Sequence, residues 1–337
     1  MKHILVTGGA GFIGSNFIPY MLEKYQDYKI INIDALTYAG DVSNVQISEE
    51  NLDRYVFVEG NICDEALVNS LFEKYDIRGV FHFAAESHVD NSITGPKVFF
   101  ETNVMGTYNV VHAAKTHWMK APFEFKEGYE DCRFHHVSTD EVYGTLGTDG
   151  LFSETTPYAP NPPYAASKAG ADFVIRSYFH TFGMPVTISN CSNNYGPCQH
   201  DEKFIPTVIR SALSGKNIPI YGTGANIRDW LYVLDHGKGL DNVFHNGRVG
   251  ETYNIGCWNE QTNNVIVHKI CEILDRVKPS ANSYKDLITY VKDRAGHDMR
   301  YAIDSTKIET ELGWKADETF ADALEVTVLW YINKYEA

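Results

Sequence analysis

Thr139-Asp140-Glu141 stands a short way ahead of Tyr164-Ala165-Ala166-Ser167-Lys168. A Tyr and a Lys four residues apart share one face of a helix, one turn from each other. An ammonium so placed is expected to draw the phenol's pKa down from about 10 toward neutrality, giving a base that can deprotonate an alcohol. That pair alone indicates hydride chemistry at a hydroxyl. The adjacent Asp140 and Glu141 add an acid–base couple that simple alcohol oxidation does not need. An acid and a base beside an oxidation site point to elimination of water. Taken without context, the same two residues read equally well as a solvated loop pair or a helix N-terminal charge.

Hydride chemistry needs a carrier, and the first forty residues supply its cradle. A short apolar strand over 2–7 leads into Gly8-Gly9-Ala10-Gly11-Phe12-Ile13-Gly14, and a helical pattern follows to about Lys24. Glycines at 8, 11 and 14 permit a tight turn, close approach of a pyrophosphate and tight packing, with the helix N-terminus facing the phosphates. A Gly-rich loop alone is weak evidence. Here it follows a strand, opens a helix and precedes a second strand, 29–34, that ends in the acid Asp34. Asp34 would bind the adenosine ribose and repel a 2′-phosphate. Ala35 and Leu36 follow it with no arginine nearby, so NAD is expected rather than NADP.

The elements that must position these groups alternate along the chain. Strand-like runs at 2–7, 29–34, 55–59, 79–83, 133–138 and 186–190 are separated by helical patterns, notably 65–74, 97–117 and 164–181. This order predicts an α/β fold: a doubly wound parallel sheet of Rossmann type with helices on both faces. Asn161 is placed to cap the Tyr164 helix, with Pro162-Pro163 in its first turn. Beyond Tyr195 the pattern turns irregular, with strands near 218–221, 228–232 and 288–292 and helices near 204–214, 265–277 and 320–334. That predicts a smaller C-terminal α/β substrate lobe. The expected division is 1–195 for the dinucleotide domain and 196–337 for the lobe, with 229–255 returning to the first sheet.

The 337 residues suffice for such a pair of lobes. A net charge of −15 argues against a nucleic-acid or anionic-membrane partner, so an anionic substrate needs a local cluster of Lys and Arg. Neither an apolar run of about eighteen residues nor a signal-peptide pattern is found. The six cysteines make no CxxC, and reduced thiols in a cytoplasm are expected. His82, His88, His135 and His136 lack a completing carboxylate or cysteine pattern, so no metal site is expected.

Nearly the whole chain resembles the extended short-chain dehydrogenase/reductase family, and within it the nucleotide-sugar 4,6-dehydratases. The resemblance runs through TGGAGFIG (7–14), DALTYAG (34–40), FAAESHVD (83–90), STDEVYG (138–144), YAASK (164–168), NCSNNYGP (190–197), IRDWLYV (227–233), GETYNIG (250–256) and DRAGHDMRYAID (293–304). The first and fifth blocks mark only the superfamily; STDEVYG and DRAGHD are more particular. Three positions depart from the pattern: Asn61 for the usual Asp, Phe204 for Leu, and Ala295 for Pro. Asn61 can still accept from an adenine amine through its carbonyl oxygen.

The resemblance implies a redox-neutral cycle on a nucleotide-diphosphate hexose. Tyr164 takes the C4 hydroxyl proton as hydride leaves C4, with Lys168 beside it and Thr139 holding the hydroxyl. Glu141 then removes the C5 proton, Asp140 protonates the departing C6 hydroxyl, and hydride returns to C6. By the same resemblance, cofactor contacts fall on Gly8, Gly11, Phe12, Ile13, Gly14, Asp34, Ala35, Leu36, Thr37, Asn61, Ile62, Phe83, Ala84, Ala85, Glu86, Ser87, Thr102, Tyr164, Lys168 and Asn194. Substrate contacts fall on Ser87, Thr139, Asn193, Lys203, Phe204, Pro219, Ile220, Tyr221, Arg228, Asn263, Asp293, Arg294, Ala295, Gly296 and His297, the two arginines suiting a diphosphate. It further implies a homodimer through a bundle of two helices per subunit, near 96–117 and 162–181. Two rivals share the fold: a sugar-nucleotide 4-epimerase, which has no use for Asp140 and Glu141, and a NAD-sensing regulator, which typically loses the Tyr or Lys.

Overall fold

Seven parallel strands form the centre of the protein: β1 (Lys2–Thr7), β2 (Tyr28–Asp34), β3 (Tyr55–Glu59), β4 (Ile77–His82), β5 (Arg133–Thr139), β6 (Val186–Cys191) and β7 (Thr252–Ile255). The coordinates, a computed structural model, describe residues 1–293 and 298–336. The strands lie in the order β7-β6-β5-β4-β1-β2-β3, so the chain winds outward in both directions from the β1/β4 pair. Loops leaving β1 and β4 therefore diverge and open a crevice at their carboxyl ends, where ligands of doubly wound sheets bind. β1 and β4 are apolar and almost wholly buried, as strands covered on both faces must be.

The first helix, Phe12–Lys24, begins at Gly11 with neither a side-chain cap nor an acid in its first turn. Its N-terminal amides are thereby left to whatever lies in the crevice. The Tyr164 helix spans Pro163–Phe182, ending at Gly183 in the left-handed conformation. Its buried face carries Ala165, Ala169 and Ala171, and small side chains let a helix lie close on the sheet. Asn161 does not cap it. Pro162 occupies that position, and the Asn161 amide donates to Asp298 Oδ1 at 3.0 Å, linking segments far apart in sequence.

The helical run predicted over 97–117 is interrupted. Pro96–Phe99 is α-helical, Phe100–Gly106 winds as a π-helix, and Thr107–Trp118 resumes the α form. The wide turn aims Asn103 at the loop after β4. Its carbonyl accepts from Glu86 N–H at 2.8 Å, and its amide donates to Glu86 O at 3.0 Å and to Ser167 Oγ at 2.8 Å. A π-turn at such a position commonly marks a functional site.

A second core gathers Tyr195, Val208, Ile209, Trp230, Ile266, Ile270, Leu324 and Val328. Around it, Ile227–Tyr232 pairs with Asn193–Tyr195 and Arg300–Tyr301 in parallel and with Glu260–Thr262 antiparallel, while Ile218–Tyr221 pairs with Ile288–Val291. Between these segments the chain returns to the first body. The helix Val233–Asn246 packs Leu240, Val243 and Phe244 into the core beneath β1, and β7 extends the main sheet beside β6. Among the described residues, no helix is long and apolar enough to cross a membrane.

Candidate active site

A cavity of about 400 Å³ opens along the crevice, running from the Gly8–Gly14 loop to Lys203. Gly8 lies at φ +72°, and a Cβ there would come within 2.7 Å of Ala84 Cα. A Cβ on Gly14 would come within 2.6 Å of Gly9 Cα. Gly11 differs: a Cβ would meet only Gly8 O, at 3.3 Å, and the residue lines the cavity. The loop thus packs tightly on itself while presenting a bare backbone and an uncapped helix start to the cavity. These residues fit a dinucleotide pyrophosphate.

Asp34 closes the far end of the loop. Its Oδ2 accepts from Ala10 N–H and its Oδ1 from Leu36 N–H, both at 2.9 Å. Each oxygen keeps a second lone pair for a ribose hydroxyl. Leu36 itself sits at φ +48° and does not line the cavity, although Ala35 and Thr37 do. The Asn61 carbonyl oxygen is already engaged, accepting from Cys63 N–H at 2.8 Å, so only its remaining lone pair can meet an adenine amine. Phe12, Ile13, Ile62, Phe83, Ala84, Ala85, Glu86, Ser87, Thr102 and Asn194 also face this space.

At the other end, the last residue of β5 and the turn Asp140–Tyr143 meet the Tyr164 helix. Thr139 Oγ1 accepts from Glu141 N–H and donates to Asp140 Oδ1, both at 3.3 Å, and makes a hydrogen bond with Tyr164. Asp140 is buried, and its Oδ2 has no hydrogen-bond partner. Burial holds its carboxyl well above the usual range, reinforced by the neighbouring Glu141 and Asp229 charges and only partly opposed by Arg228. The enclosure thus favours the protonated form of Asp140, the form that proton donation to a leaving hydroxyl requires.

The phenol of Tyr164 departs from expectation. Burial, followed by the Glu141 charge, pushes it well above its ordinary value instead of toward neutrality. Lys168 does not counter this, because its Nζ donates to Val137 O at 2.8 Å and burial pulls its own pKa down. Helical spacing brings the two side chains to one face, but spacing alone does not set how strongly they couple.

All five residues expected to be catalytic line the one cavity, together with every expected cofactor position except Leu36. Asn193 and Lys203 join them, Lys203 Nζ donating to Ser87 O at 3.0 Å across the crevice. The remaining described substrate candidates are not among the residues lining this cavity. The Ile220 side chain is fully buried in the second core. Phe204 packs toward Trp230, with ring centroids 6.2 Å apart, while Pro219 and Tyr221 share the strand of Ile220. Asn263 starts the helix Asn263–Val277, and the Asp293 carboxylate lies against Gly222. Arg228 is buried over the Tyr301 ring at 4.4 Å, its guanidinium donating to the carbonyls of Ile227, Asp298 and Met299. Arg294, Ala295, Gly296 and His297 lie outside the described residues.

Ser138, Cys191, Ser192, Gln199 and His200 also line the cavity and were not singled out in the sequence. Most of them sit in or beside the STDEVYG and NCSNNYGP blocks, which is the signal that could have found them. The histidines have structural partners: His82 bonds Thr7 and Thr107, and His135 bonds Thr187 and Ser189. Among the described residues, no group of three or more His, Cys, Asp or Glu is arranged to hold a metal.

Comparison with known proteins agrees with this geometry. The sequence model of the family described as GDP-mannose 4,6 dehydratase matches residues 5–327. A dTDP-glucose 4,6-dehydratase of Salmonella typhimurium is 51% identical over 339 aligned positions, covering 98% of this chain and 92% of that protein. Among solved structures, the Bacillus anthracis dTDP-glucose 4,6-dehydratase in complex with NAD superposes with a TM-score of 0.86 at 45% identity, covering 100% and 98% of the two chains. The Streptomyces venezuelae dTDP-glucose 4,6-dehydratase, also with NAD bound, gives 0.87 at 42% identity, covering 99% and 98%. On this similarity from end to end, the chain belongs to the GDP-mannose 4,6 dehydratase family of nucleotide-sugar enzymes, in the branch formed by the dTDP-glucose 4,6-dehydratases.

Proposed function

We propose that the protein is an NAD-dependent hydro-lyase that converts dTDP-glucose into dTDP-4-keto-6-deoxyglucose. The observation that carries this reading is the meeting, in one cavity, of a dinucleotide loop, a buried Tyr/Lys pair and a buried Asp140 beside Glu141, its carboxyl raised by burial. NAD, held by the Gly8–Gly14 loop and Asp34, would supply the acceptor for hydride from C4 and its donor to C6. Tyr164 takes the C4 hydroxyl proton as its phenolate, the form it must reach when NAD and substrate are bound, and Thr139 orients that hydroxyl through the hydrogen bond the two residues share. The C4 ketone acidifies the C5 proton, which Glu141 removes. Asp140 gives its proton to the C6 hydroxyl, which leaves as water. A proton then returns to C5. Water is lost and no net oxidation occurs.

The nucleotide-sugar subsite is assigned to the second lobe, 196–337, with Lys203 and, from the end of the dinucleotide domain, Asn193 nearest the reacting end. The dinucleotide domain takes 1–195, with 229–255 returning to it. A panel of dTDP-, UDP-, CDP- and GDP-glucose tests the substrate. The dTDP sugar is expected to yield the 4-keto-6-deoxy product without added oxidant. A preference for the UDP or CDP sugar would reassign the base, and formation of the 4-epimer would replace the reaction.

The assembly is assigned as a homodimer. Val98, Phe100 and Met105 on one helical run and Phe173 on the Tyr164 helix are exposed apolar side chains, as a four-helix contact between two copies needs. Sedimentation at micromolar concentration is expected to give the dimer mass; a monomer would refute it. The six free cysteines suit a reducing compartment, and the enzyme is assigned to the cytoplasm on that ground.

A further inference from the structure

The face of the helix that carries Tyr164 and Lys168 continues one turn further, to Asp172. Three successive residues of β5 receive the three side chains. Thr139 hydrogen-bonds Tyr164, Val137 O accepts from Lys168 Nζ at 2.8 Å, and Ser138 Oγ donates to Asp172 Oδ2 at 2.8 Å. Both charged groups are enclosed: Asp172 is 0% exposed and Lys168 4%. A buried ammonium facing only a carbonyl sheds its proton unless an anion accompanies it.

The groups around the pair leave Asp172 as that anion. On β5, His136 Nε2 lies 3.1 Å from Asp172 Oδ1 without the alignment of a hydrogen bond. Burial and the Lys168 charge hold this imidazole neutral, and burial does the same for His82 on β4. On β6, burial pushes the Cys191 thiol up to about 12. Tyr158 and Tyr143 are raised by burial and remain neutral phenols, and burial raises Tyr164 as well. In the turn after β5, burial raises the Asp140 carboxyl, and Glu141 faces Tyr164. Asp172 is pushed up to about 6 by burial, opposed by Lys168, Ser138 and Tyr158, so it is ionised at neutral pH.

We infer that Asp172 is a positioning residue for the reaction: the buried counter-ion that keeps Lys168 charged against β5, next to Tyr164. This rests on the dehydratase reading above. Asp172 touches neither substrate nor cofactor and acts through Lys168 alone.

The test compares Asp172→Asn, Lys168→Met and the double variant in the full-length enzyme. Asp172→Asn keeps an acceptor for Ser138 and removes the charge. It is expected to lower kcat about 10–100-fold at neutral pH with KM nearly unchanged, and to move the alkaline limb of the kcat profile down by about one pH unit or more. In the Lys168→Met background it should change kcat less than about twofold, since the residue it acts through is gone. Carbon-13 NMR of labelled lysine, with the Lys168 signal identified by its loss in Lys168→Met, should show that amine titrating at lower pH in Asp172→Asn.

Ser138→Ala is a gentler variant. It removes a donor that favours the Asp172 carboxylate, so the acid limb should move upward. An unmoved Lys168 titration, unmoved limbs in both variants, or losses that multiply fully with Lys168→Met would overturn the inference. Failure of the wild-type chain to dehydrate dTDP-glucose would instead overturn the functional reading; the lysine titration decides the role of Asp172 in either case.

Discussion

Glu141→Gln is expected to stop the enzyme halfway. The substitution preserves the size and the N–H···Oγ1 contact to Thr139 that fixes the start of the turn. Oxidation at C4 should therefore proceed. A neutral amide cannot take the C5 proton, so the ketone forms and elimination does not. Single-turnover mixing should show reduced nicotinamide accumulating with a 4-keto hexose, visible by absorbance, while product formation falls about 10²–10⁴-fold. Asp140→Asn completes the comparison. It should slow loss of the C6 hydroxyl, and slow it less when C6 carries fluoride, which leaves without protonation. If both variants dehydrate at near wild-type rates, the acid–base couple is not used and the 4-epimerase reading takes its place.

Tyr164→Phe should act one step earlier. The phenol is buried, so solvent cannot readily replace it as the acceptor of the C4 proton. The expected loss is again about 10²–10⁴-fold, but with no reduced nicotinamide and no ketone. Removing the hydroxyl also removes its bond with Thr139, at about 1 kcal/mol of stability, which should leave the fold intact. The absorbance signal separates the two variants: present for Glu141→Gln, absent for Tyr164→Phe. A reduced-cofactor signal in Tyr164→Phe would show that another group takes the proton.

Those assignments draw on two kinds of information. Local pattern was enough for six of the seven strands of the main sheet, most of them short, largely buried runs bounded by turn residues, and it did not mark Thr252–Ile255. It was enough for the nucleotide loop too, since Gly8 takes a left-handed φ of +72° and a Cβ on Gly14 would strike Gly9 in the same loop. The Tyr164–Lys168 spacing gave a shared helix face for the same reason: helical period is a property of the chain itself.

What the sequence did not determine depends on neighbours remote along the chain. The protonation of Tyr164 and Asp140 follows from burial and from Glu141, Asp229 and Arg228, which only folding brings together. Asn161 left its capping role for Asp298, and the Ile220 side chain packs in the second core. Asp172 was overlooked because an Asp eight residues beyond a Tyr has no distinctive meaning in sequence. Its role appears only once β5 sets Val137 and Ser138 against the helix, in a place water cannot screen. Periodicity is written residue by residue, whereas the charge state of a buried group is a property of the enclosure around it.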